Sequence, residues 1–426
     1  MYSPKSISTI HRFLIVFTIV FAGEIIFSLP FHVARFFRPT LLEVFSLTNT
    51  ELGDVFGIYG LMAMLAYFPG GAIADRFSAK NLMIISLVTT AFGGVVFMQV
   101  PTITTLYLLF GYWGITTILL FWAAMIKITR IWGGESTQGI ASGILDGGRG
   151  LVAATVASIS VLILNSSIPL ESVFNASMDK THALQYIIVF YACLTFIAAV
   201  LIYFIIPSSD KQRSSNTEES TTINVLKNLL ETIRQPKVIA QALIVLSAYC
   251  AYKGLDYFGL YASQVLKLDD IASAKLVADA SFMRPIVAIA AGLIADKLQP
   301  SRLISIIFGV LAASYFCFMP TDQQWLLQAN IFITFILVFA VRAVYFALLA
   351  ESKISGAITG TAVGTISMIG YTPDIFFAPI VGRILDANAG IAGFTNLFVL
   401  MAAISIIGLI CALYLSKITD EKKAFS

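Results

Sequence analysis

Apolar residues in this chain fall into long, nearly unbroken runs, and the polar and charged residues gather between them. The runs are too long for strands and are apolar on every side, which predicts helices in a nonaqueous solvent. A helix needs about 20 such residues to cross the hydrocarbon core of a bilayer. We therefore predict an all-α membrane protein with twelve transmembrane helices, at about 12–32, 52–71, 81–99, 104–126, 138–164, 184–206, 238–263, 272–294, 301–319, 325–349, 357–380 and 393–415.

The twelve predicted spans form two groups of six, separated by a polar stretch. This stretch, SSDKQRSSNTEESTT at 208–222, is rich in serine, threonine and charge, a composition typical of a flexible linker. We predict an N-terminal six-helix bundle at 1–206, a cytosolic linker at 207–236 and a C-terminal six-helix bundle at 237–426.

The composition favours a lipid environment. Hydrophobic residues make up 58% of the 426 residues and charged residues 12%, which is about half the charge of a typical soluble domain. The net charge of +3 is too small to indicate a nucleic-acid partner. The four cysteines and three histidines show neither zinc-site nor disulfide spacing, so we predict no metal and no other cofactor.

Lysine and arginine are distributed unevenly between the two sides of the predicted membrane. With the N-terminus inside, the cytosolic segments hold seventeen of the 27 cationic residues and the outer segments hold six. Because cytosolic loops are enriched in these residues, both termini are predicted to be cytoplasmic. The first run is longer than a signal-peptide core and lacks a cleavage pattern, so we predict that it is retained as a transmembrane helix. The apolar composition with few lysines and arginines and no organelle signal favours a multi-pass protein of a bacterial inner membrane. The six outer cations are Arg35, Arg38, Lys180, Lys267, Lys275 and Arg383.

Two loops in corresponding positions of the two groups share a short motif. Residues 70–82 read GGAIADRFSAKNL and follow span two, whereas residues 291–303 read AGLIADKLQPSRL and follow span eight. Both contain G-x-I-A-D-[RK], with a further cation four or five positions later. A repeat after equivalent spans of two six-helix groups indicates a duplicated architecture.

This pair of loops resembles the signature loop of the major facilitator superfamily, and the resemblance extends over the whole chain. It implies two pseudo-symmetric six-helix bundles and a gating role for the loop residues. In that family the loop aspartate, here Asp75, engages the start of span eleven, here SGAITG from Ser355, and the glycine, here Gly71, lets the helices approach. The alternative is that these loops only hold the turn and carry cytosolic charge. The gating residues implied by the resemblance are Gly71, Asp75, Arg76, Lys80, Asp296, Lys297 and Arg302.

Ionisable residues inside the predicted spans are the candidate site. A charge near the bilayer centre costs at least a few kcal/mol, so such residues face a protein interior or a wet cavity. Arg284 is the first candidate for substrate contact, because a guanidinium at mid-depth suits a carboxylate, phosphate or sulfonate. The complete predicted substrate-binding set is Asp146, Arg149, Tyr249, Lys253, Asp256, Tyr257, Arg284, Arg342 and Asp374.

Each of these residues also has a purely structural interpretation. Lys253 and Asp256 are three residues apart, as are Asp146 and Arg149, so each couple fits a helical ion pair. Asp374 follows Pro373 and fits the cap of a restarted half-helix, and Arg342 is placed to extend its guanidinium to the cytosolic interface. Glu24 is the most isolated charge, and we interpret it as the proton-coupling residue or as the counter-ion of an arginine.

These patterns predict a secondary active transporter that moves a small polar solute, anionic or zwitterionic, by alternating access, with proton coupling left open. The segment at 130–150 resembles the organic-anion and sugar-phosphate branches of the superfamily, and no Walker sequence for ATP use is present. Two alternatives remain, a polyspecific drug/proton antiporter and a sensor that does not transport. We expect no enzymatic activity, since no nucleophile, base and metal set is clustered. The predicted partners are the bilayer and the solute, and the protein is predicted to be a monomer.

Overall fold

The computed structural model describes residues 9–133, 138–167, 176–207, 235–318, 323–351, 359–388 and 390–424. This part of the chain is helical and contains no strand, as the apolar runs predict. The first group comprises α1 (Thr9–Ile25), α2 (Val33–Phe36), α3 (Arg38–Val44), α4 (Asn49–Arg76), α5 (Ala79–Phe97), α6 (Ile103–Ile115), α7 (Ala123–Gly133), α8 (Gln138–Ser167) and α9 (Ala176–Ile205).

The second group begins after the predicted linker, of which residues 208–234 lie outside the described part of the chain. Proline occupies the first helical position of three of its helices, where its missing N–H costs nothing. The helices are α10 (Pro236–Gly254), α11 (Phe258–Gln264), α12 (Asp270–Ser281), α13 (Met283–Lys297), α14 (Pro300–Phe316), α15 (Gln324–Val344), α16 (Leu348–Glu351), α17 (Thr359–Gly370), α18 (Pro373–Ala387) and α19 (Ile391–Ala424).

Eight helical segments of the described residues are long and apolar enough to cross a membrane, and two bent pairs raise the count to ten. A further apolar helix, α14, has 17 residues and is shorter than these. The all-α membrane fold is therefore confirmed. The exact number of twelve spans stays a prediction.

The first predicted span does not end where the apolar run suggested. After α1 the chain forms a π-helical turn at Ser28–His32 and continues into α2, with a bend of 44° between the two parts. Pro30 lies in this turn and cannot donate a backbone hydrogen bond, a common cause of such widening. Arg35 and Arg38 follow on helices and are 7% and 1% exposed. Their assignment to an outer loop is wrong.

Other spans are also interrupted. A bend of 52° separates Asn49–Tyr67 from Pro69–Arg76 within α4, and Phe282 separates α12 from α13. The predicted span eleven likewise divides into α17 and α18, and the second part begins at Pro373. Interrupted helices expose backbone groups, so they are tolerated in membranes where protein surrounds them.

The chain forms two compact units. The first contains Met1–Lys211, Asp256–Pro285 and Ala378–Asp386, and the second contains Gln212–Leu255, Ile286–Phe377 and Ala387–Ser426. Two segments of the second group therefore contribute to the first unit. The predicted division into bundles at 1–206 and 237–426 stays a prediction, since these units follow packing rather than chain order.

The core of the first unit contains aromatic rings packed edge to face. Trp113 is fully buried, and its ring lies against Phe97 and Phe110 with centroid distances of 5.4 and 5.1 Å. Its indole N–H donates to the carbonyl of Thr90 at 3.1 Å, so its polar atom is satisfied.

The core of the second unit combines rings with a small polar network. The rings of Phe318 and Phe398 stack with centroids 4.4 Å apart. The hydroxyl of Ser314 donates to Asn330 Oδ1 at 2.9 Å, and the Asn330 amide donates back to the Ser314 carbonyl at 2.8 Å. Glu351 accepts hydrogen bonds from the backbone N–H and hydroxyl of Ser301 and so caps the start of α14.

Candidate functional site

Glu24 is the centre of a buried cluster of charges in the first unit. Its Oε2 accepts a hydrogen bond from Arg149 Nε at 3.0 Å, and its Oε1 lies 3.1 Å from His32 Nε2. Arg284 Nη1 lies 3.9 Å from Oε1. Glu24 is 2% exposed. The expectation of an isolated carboxylate is wrong, and the alternative that it neutralises an arginine matches the contacts.

Arg284 connects Glu24 to a second carboxylate. Its Nη2 donates to Asp146 Oδ1 at 2.7 Å. The two side chains differ in their access to solvent, because that of Arg284 is 7% exposed and that of Asp146 is 41% exposed. The guanidinium is thus enclosed, while one of its two counter-ions is open.

The helical ion pair expected between Asp146 and Arg149 does not form. Both residues lie on α8, but Asp146 pairs with Arg284 and Arg149 pairs with Glu24. Pairing between different helices replaces pairing along one helix. The arrangement stabilises contacts between distant segments, which the spacing along the chain does not reveal.

A glycine makes room for Arg284, because a Cβ at Gly150 would lie 2.6 Å from Arg284 Cδ. A Cβ at Gly23 would instead lie 2.8 Å from Met125 Sδ, whereas its distance of 3.6 Å to Arg149 Cδ is an ordinary contact. The Arg149 guanidinium also lies over the rings of Phe27 and Trp122, at 5.6 and 5.8 Å from their centroids. Two aromatic faces and Glu24 therefore stabilise the positive charge of Arg149 together.

A second group of charges in the same unit joins α2 and α3 to the segment at 256–257. Arg35 Nε donates to Asp256, so this carboxylate pairs with a residue of α2. The Arg38 guanidinium lies 4.1 Å from the centroid of Tyr257. Its Nε and Nη2 are buried without a hydrogen-bond partner among the described residues, which is costly for a charged group.

Sequence reasoning missed His32, Arg35 and Arg38, because the first span was ended too early. The three residues are spaced three positions apart directly after an apolar run, and two phenylalanines lie between the arginines. This spacing indicates one helix face, and it could have shown that the helix continues past residue 32.

Four other predicted site residues lie in the second unit, and three of them are in contact. Lys253 Nζ lies 2.6 Å from Asp374 Oδ1, and the Tyr249 hydroxyl donates to the same carboxylate at 2.9 and 3.0 Å. The half-buried Arg342 lies with its guanidinium carbon 3.8 Å from the centroid of Tyr252. The predicted helix restart at Pro373 is confirmed. The capping role of Asp374 is wrong, because its carboxylate binds Lys253 and Tyr249 instead.

The predicted gating residues lie at helix ends. Gly71, Asp75 and Arg76 occupy the last two turns of α4, and the two charged residues are exposed. A Cβ at Gly71 would meet nothing within 4 Å, whereas one at Gly70 would lie 3.2 Å from the Leu119 carbonyl oxygen. Gly70 therefore packs closely against Leu119, and the close approach predicted at Gly71 stays a prediction.

The predicted partner of Asp75, at Ser355, lies outside the described residues, and so does the side chain of Asp296. Lys80 is the second residue of α5, and its Nζ lies 5.4 Å from the centroid of Tyr203. In the second copy of the motif Lys297 and Arg302 are exposed. Their gating role stays a prediction.

A third polar cluster lies at the start of α4 and was not predicted. Asp386 accepts hydrogen bonds from the backbone N–H groups of Asn49 and Thr50 at 3.1 and 2.6 Å. Arg383 lies on α18, as Asp386 does, and its guanidinium donates two hydrogen bonds to Asp54 at 2.7 and 3.1 Å. Burial acts to raise the pKa of Asp386, but the hydrogen bonds from Thr50 and Asn49 outweigh it and hold that pKa below its ordinary value.

Comparison with known proteins shows one family and one fold. Residues 13–373 match the family model of the Major Facilitator Superfamily. The chain is 24% identical over 422 residues to the inner membrane protein YqcE of Escherichia coli (strain K12), covering 97% of each protein. It is 26% identical over 410 residues to the inner membrane protein YihN of the same organism, covering 94% of each.

Two solved transporters share the fold at low identity. A bacterial homolog of the human lysosomal transporter Spinster, in an inward-facing and unoccupied conformation, superposes with a TM-score of 0.70 and 14% identity. The superposition covers 97% of this chain and 98% of that one. A point mutant of the nucleoside transporter NupG also has a TM-score of 0.70, with 15% identity over 95% of this chain and 99% of its own.

Proposed function

Because the chain belongs to the major facilitator superfamily, we propose that it is a secondary active transporter of a small organic anion. A membrane transporter follows from the family and from its transporter neighbours of the same fold. The anionic character of the solute is our inference from the charges of the first unit. Without a Walker sequence in the chain, the energy comes from a gradient of the solute or of a coupled ion.

The observation that carries the proposal is the unequal exposure of the Arg284–Asp146 pair. The guanidinium is enclosed and aligned, whereas the carboxylate that binds it is 41% exposed. An incoming carboxylate, phosphate or sulfonate can replace Asp146 on the same guanidinium hydrogen bonds. The exchange costs little desolvation of Arg284, since burial has already removed its water.

The other deep charges also favour a negatively charged solute. Arg38 adds a second enclosed guanidinium, with two nitrogens that lack an acceptor among the described residues. Each deep carboxylate, by contrast, already binds a cation. The pairs are Glu24–Arg149, Asp146–Arg284, Asp256–Arg35 and Asp374–Lys253.

A lipophilic cation would have to displace an arginine or a lysine from one of these carboxylates. Leaving such a cation buried and unpaired costs several kcal/mol, of the order of 3–5. This cost argues against the drug/proton antiporter, which needs an accessible carboxylate. It applies less to an anion, because the side chain of the displaced Asp146 is 41% exposed rather than enclosed.

Uptake by purified protein in liposomes tests the proposal. We would compare radiolabelled succinate, glycerol phosphate and methanesulfonate with tetraphenylphosphonium as the cationic control. Saturable uptake of at least one anion is expected, and Arg284→Ala should abolish it. Arg284→Lys should retain only a little uptake, because an ammonium cannot form the two parallel hydrogen bonds of a planar guanidinium.

The matched control is Arg383→Gln, which removes an exposed arginine far from this cluster in sequence and should leave uptake unchanged. Uptake of the cation alone would replace the proposal with drug transport. Binding of an anion without any uptake would favour a sensor.

A further inference from the structure

We propose that His32 couples a proton to anion transport, with its Nδ1 as the atom that binds the proton. The inference rests on the proposed function and adds the coupling ion to it. His32 is 2% exposed and lies in the π-helical turn after α1, in contact with the Glu24 cluster. No role was predicted for this histidine from the sequence.

The hydrogen bond to Glu24 determines the tautomer of His32. Glu24 receives donors from Arg149 and lies close to Arg284, two permanent cations that favour its ionised form. An ionised carboxylate only accepts hydrogen bonds, so the proton of the neutral imidazole is on Nε2. Nδ1 then carries a free lone pair, and it is buried without a hydrogen-bond partner among the described residues.

Burial favours a neutral imidazole when no anion is present, because an enclosed site disfavours the charged form. Glu24 faces Nε2, and the rings of Phe36 and Tyr191 pack edge to face against it, with centroids 5.6 and 5.9 Å away. Arg284 Nη1 lies 3.9 Å from the Glu24 oxygen that contacts the ring, and Arg35 follows His32 by three residues. One carboxylate and two guanidinium groups thus surround a base in an enclosed site.

An anion bound to Arg284 reverses this balance. It adds one negative charge to a cluster in which the carboxylates of Glu24 and Asp146 already neutralise the guanidinium groups of Arg149 and Arg284. In an enclosed site, charges interact more strongly than in water, so the added charge favours protonation of Nδ1. By linkage, the protonated histidine strengthens anion binding by the same factor.

The transport cycle then moves one proton with each anion. Nδ1 takes the proton from water on the side where the anion enters, and returns it to water on the other side when the anion leaves. For a monovalent anion the loaded cluster has the same net charge as the empty one. Glu24 acts as a positioning residue in this scheme, since protonating it would leave Arg149 buried without its counter-ion.

The test is anion accumulation in liposomes driven by an imposed pH gradient. One proton per monovalent anion predicts about tenfold accumulation for each pH unit. His32→Gln keeps a donor for Glu24 but removes the titratable nitrogen. Labelled methanesulfonate, or whichever of the three probe anions the wild type transports, should bind this variant more weakly than the wild type, because the protonated histidine that strengthens anion binding is absent. The variant should lose the accumulation, and the exposed control His182→Gln should keep it.

The outcomes separate the two proposals. Failure of the wild type to take up any probe anion overturns the proposed function. Uptake that does not depend on the pH gradient, or full accumulation by His32→Gln, overturns the coupling role of His32 and leaves the proposed anion transport standing.

A second measurement covers the case in which the variant does not fold. The chain has three histidines, so 15N-histidine labelling of the wild type gives few ring signals. Saturation with the transported probe anion should shift the His32 signals to those of an imidazolium. Signals that stay neutral throughout the titration would overturn the inference.

Discussion

The carboxylate of Asp386 accepts a hydrogen bond from the backbone N–H of Thr50 at 2.6 Å, across 336 residues of sequence. The same carboxylate binds the backbone N–H and the side-chain amide of Asn49 at 3.1 and 3.0 Å. Local residues cap this helix as well, because Thr48 and Glu51 form a capping box. The start of α4 is therefore satisfied by its own turn and by the end of α18.

Asp386→Ala should lower the free energy of unfolding by about 1 kcal/mol, which is typical for the loss of an N-terminal cap. The value stays modest because the carboxylate is exposed and partly screened by water. Thermal unfolding in detergent measures this change in the free energy of unfolding. Arg383→Gln on the same helix should give a smaller shift, since the pair with Asp54 lies in solvent. Equal shifts for the two variants would contradict the capping role.

The contribution of Asp386 should depend on pH in a defined direction. The hydrogen bonds hold its folded-state pKa below the ordinary value. Its stabilisation is therefore fully present above the unfolded pKa of about 3.9 and is lost as the pH falls through the folded pKa. The difference in stability between wild type and Asp386→Ala should be constant from about pH 5 to 7 and shrink below about pH 4. A difference that grows in acid would exclude this assignment.

Gly150→Ala should impair transport without removing any charge. Its Cβ would lie 2.6 Å from Arg284 Cδ and 2.8 Å from Cγ, which forces the guanidinium to move. A displacement of about 1 Å at a reacting or binding group can cost 100-fold in rate. Gly147→Ala on the same helix is the matched control, because a Cβ there meets nothing within 4 Å. Similar uptake rates in the two variants would argue against tight placement of Arg284.

Gly382→Ala should destabilise the contact between α18 and α4. A Cβ there would clash with the carbonyl of Asn49, 2.7 Å from its carbon, and backbone at both partners leaves little room to adjust. Overpacking of this kind costs about 1–3 kcal/mol. The control is Gly309→Ala in α14, where the space is open and the helix should gain slightly from alanine. Melting temperatures of both variants check the contrast.

Lys253→Met should destabilise the protein more than the double change Lys253→Met with Asp374→Leu. The single change leaves Asp374 beside Tyr249 without its cation, at a cost of about 3 kcal/mol for an enclosed pair. Removing both charges avoids that cost. A double variant less stable than the single one would show that the carboxylate has another cation partner. Thermal unfolding distinguishes these cases.

The long apolar runs were enough to predict the all-helical membrane fold, because burial in lipid acts on every residue of a span. They also identified most of the deep charges. Glu24, Arg149, Arg284, Lys253 and Asp374 all take part in ion pairs within their units. Each of these residues interrupts an otherwise apolar stretch, and such an interruption is visible in one sequence.

The partners of these charges were not predictable from spacing. Lys253 and Asp256 are a favourable helical couple, yet each binds a residue more than 100 positions away. A pair within one helix contributes only a few tenths of a kcal/mol, so packing between helices readily overrides it. The contact of Asp386 with Thr50 is of the same kind, since neither residue stands out locally.

The widened turn at Ser28–His32 has a consequence for comparing related chains. In a regular helix, residues seven apart lie on the same side after two turns, yet Glu24 and His32 are eight apart and in contact. The π-helical turn accommodates one additional residue, and it rotates everything that follows by about 100° relative to an unbroken helix. A relative with a regular first helix would bring an equivalent histidine to its carboxylate only after the deletion of one residue. Sequence alignments should therefore be expected to gap beside Pro30.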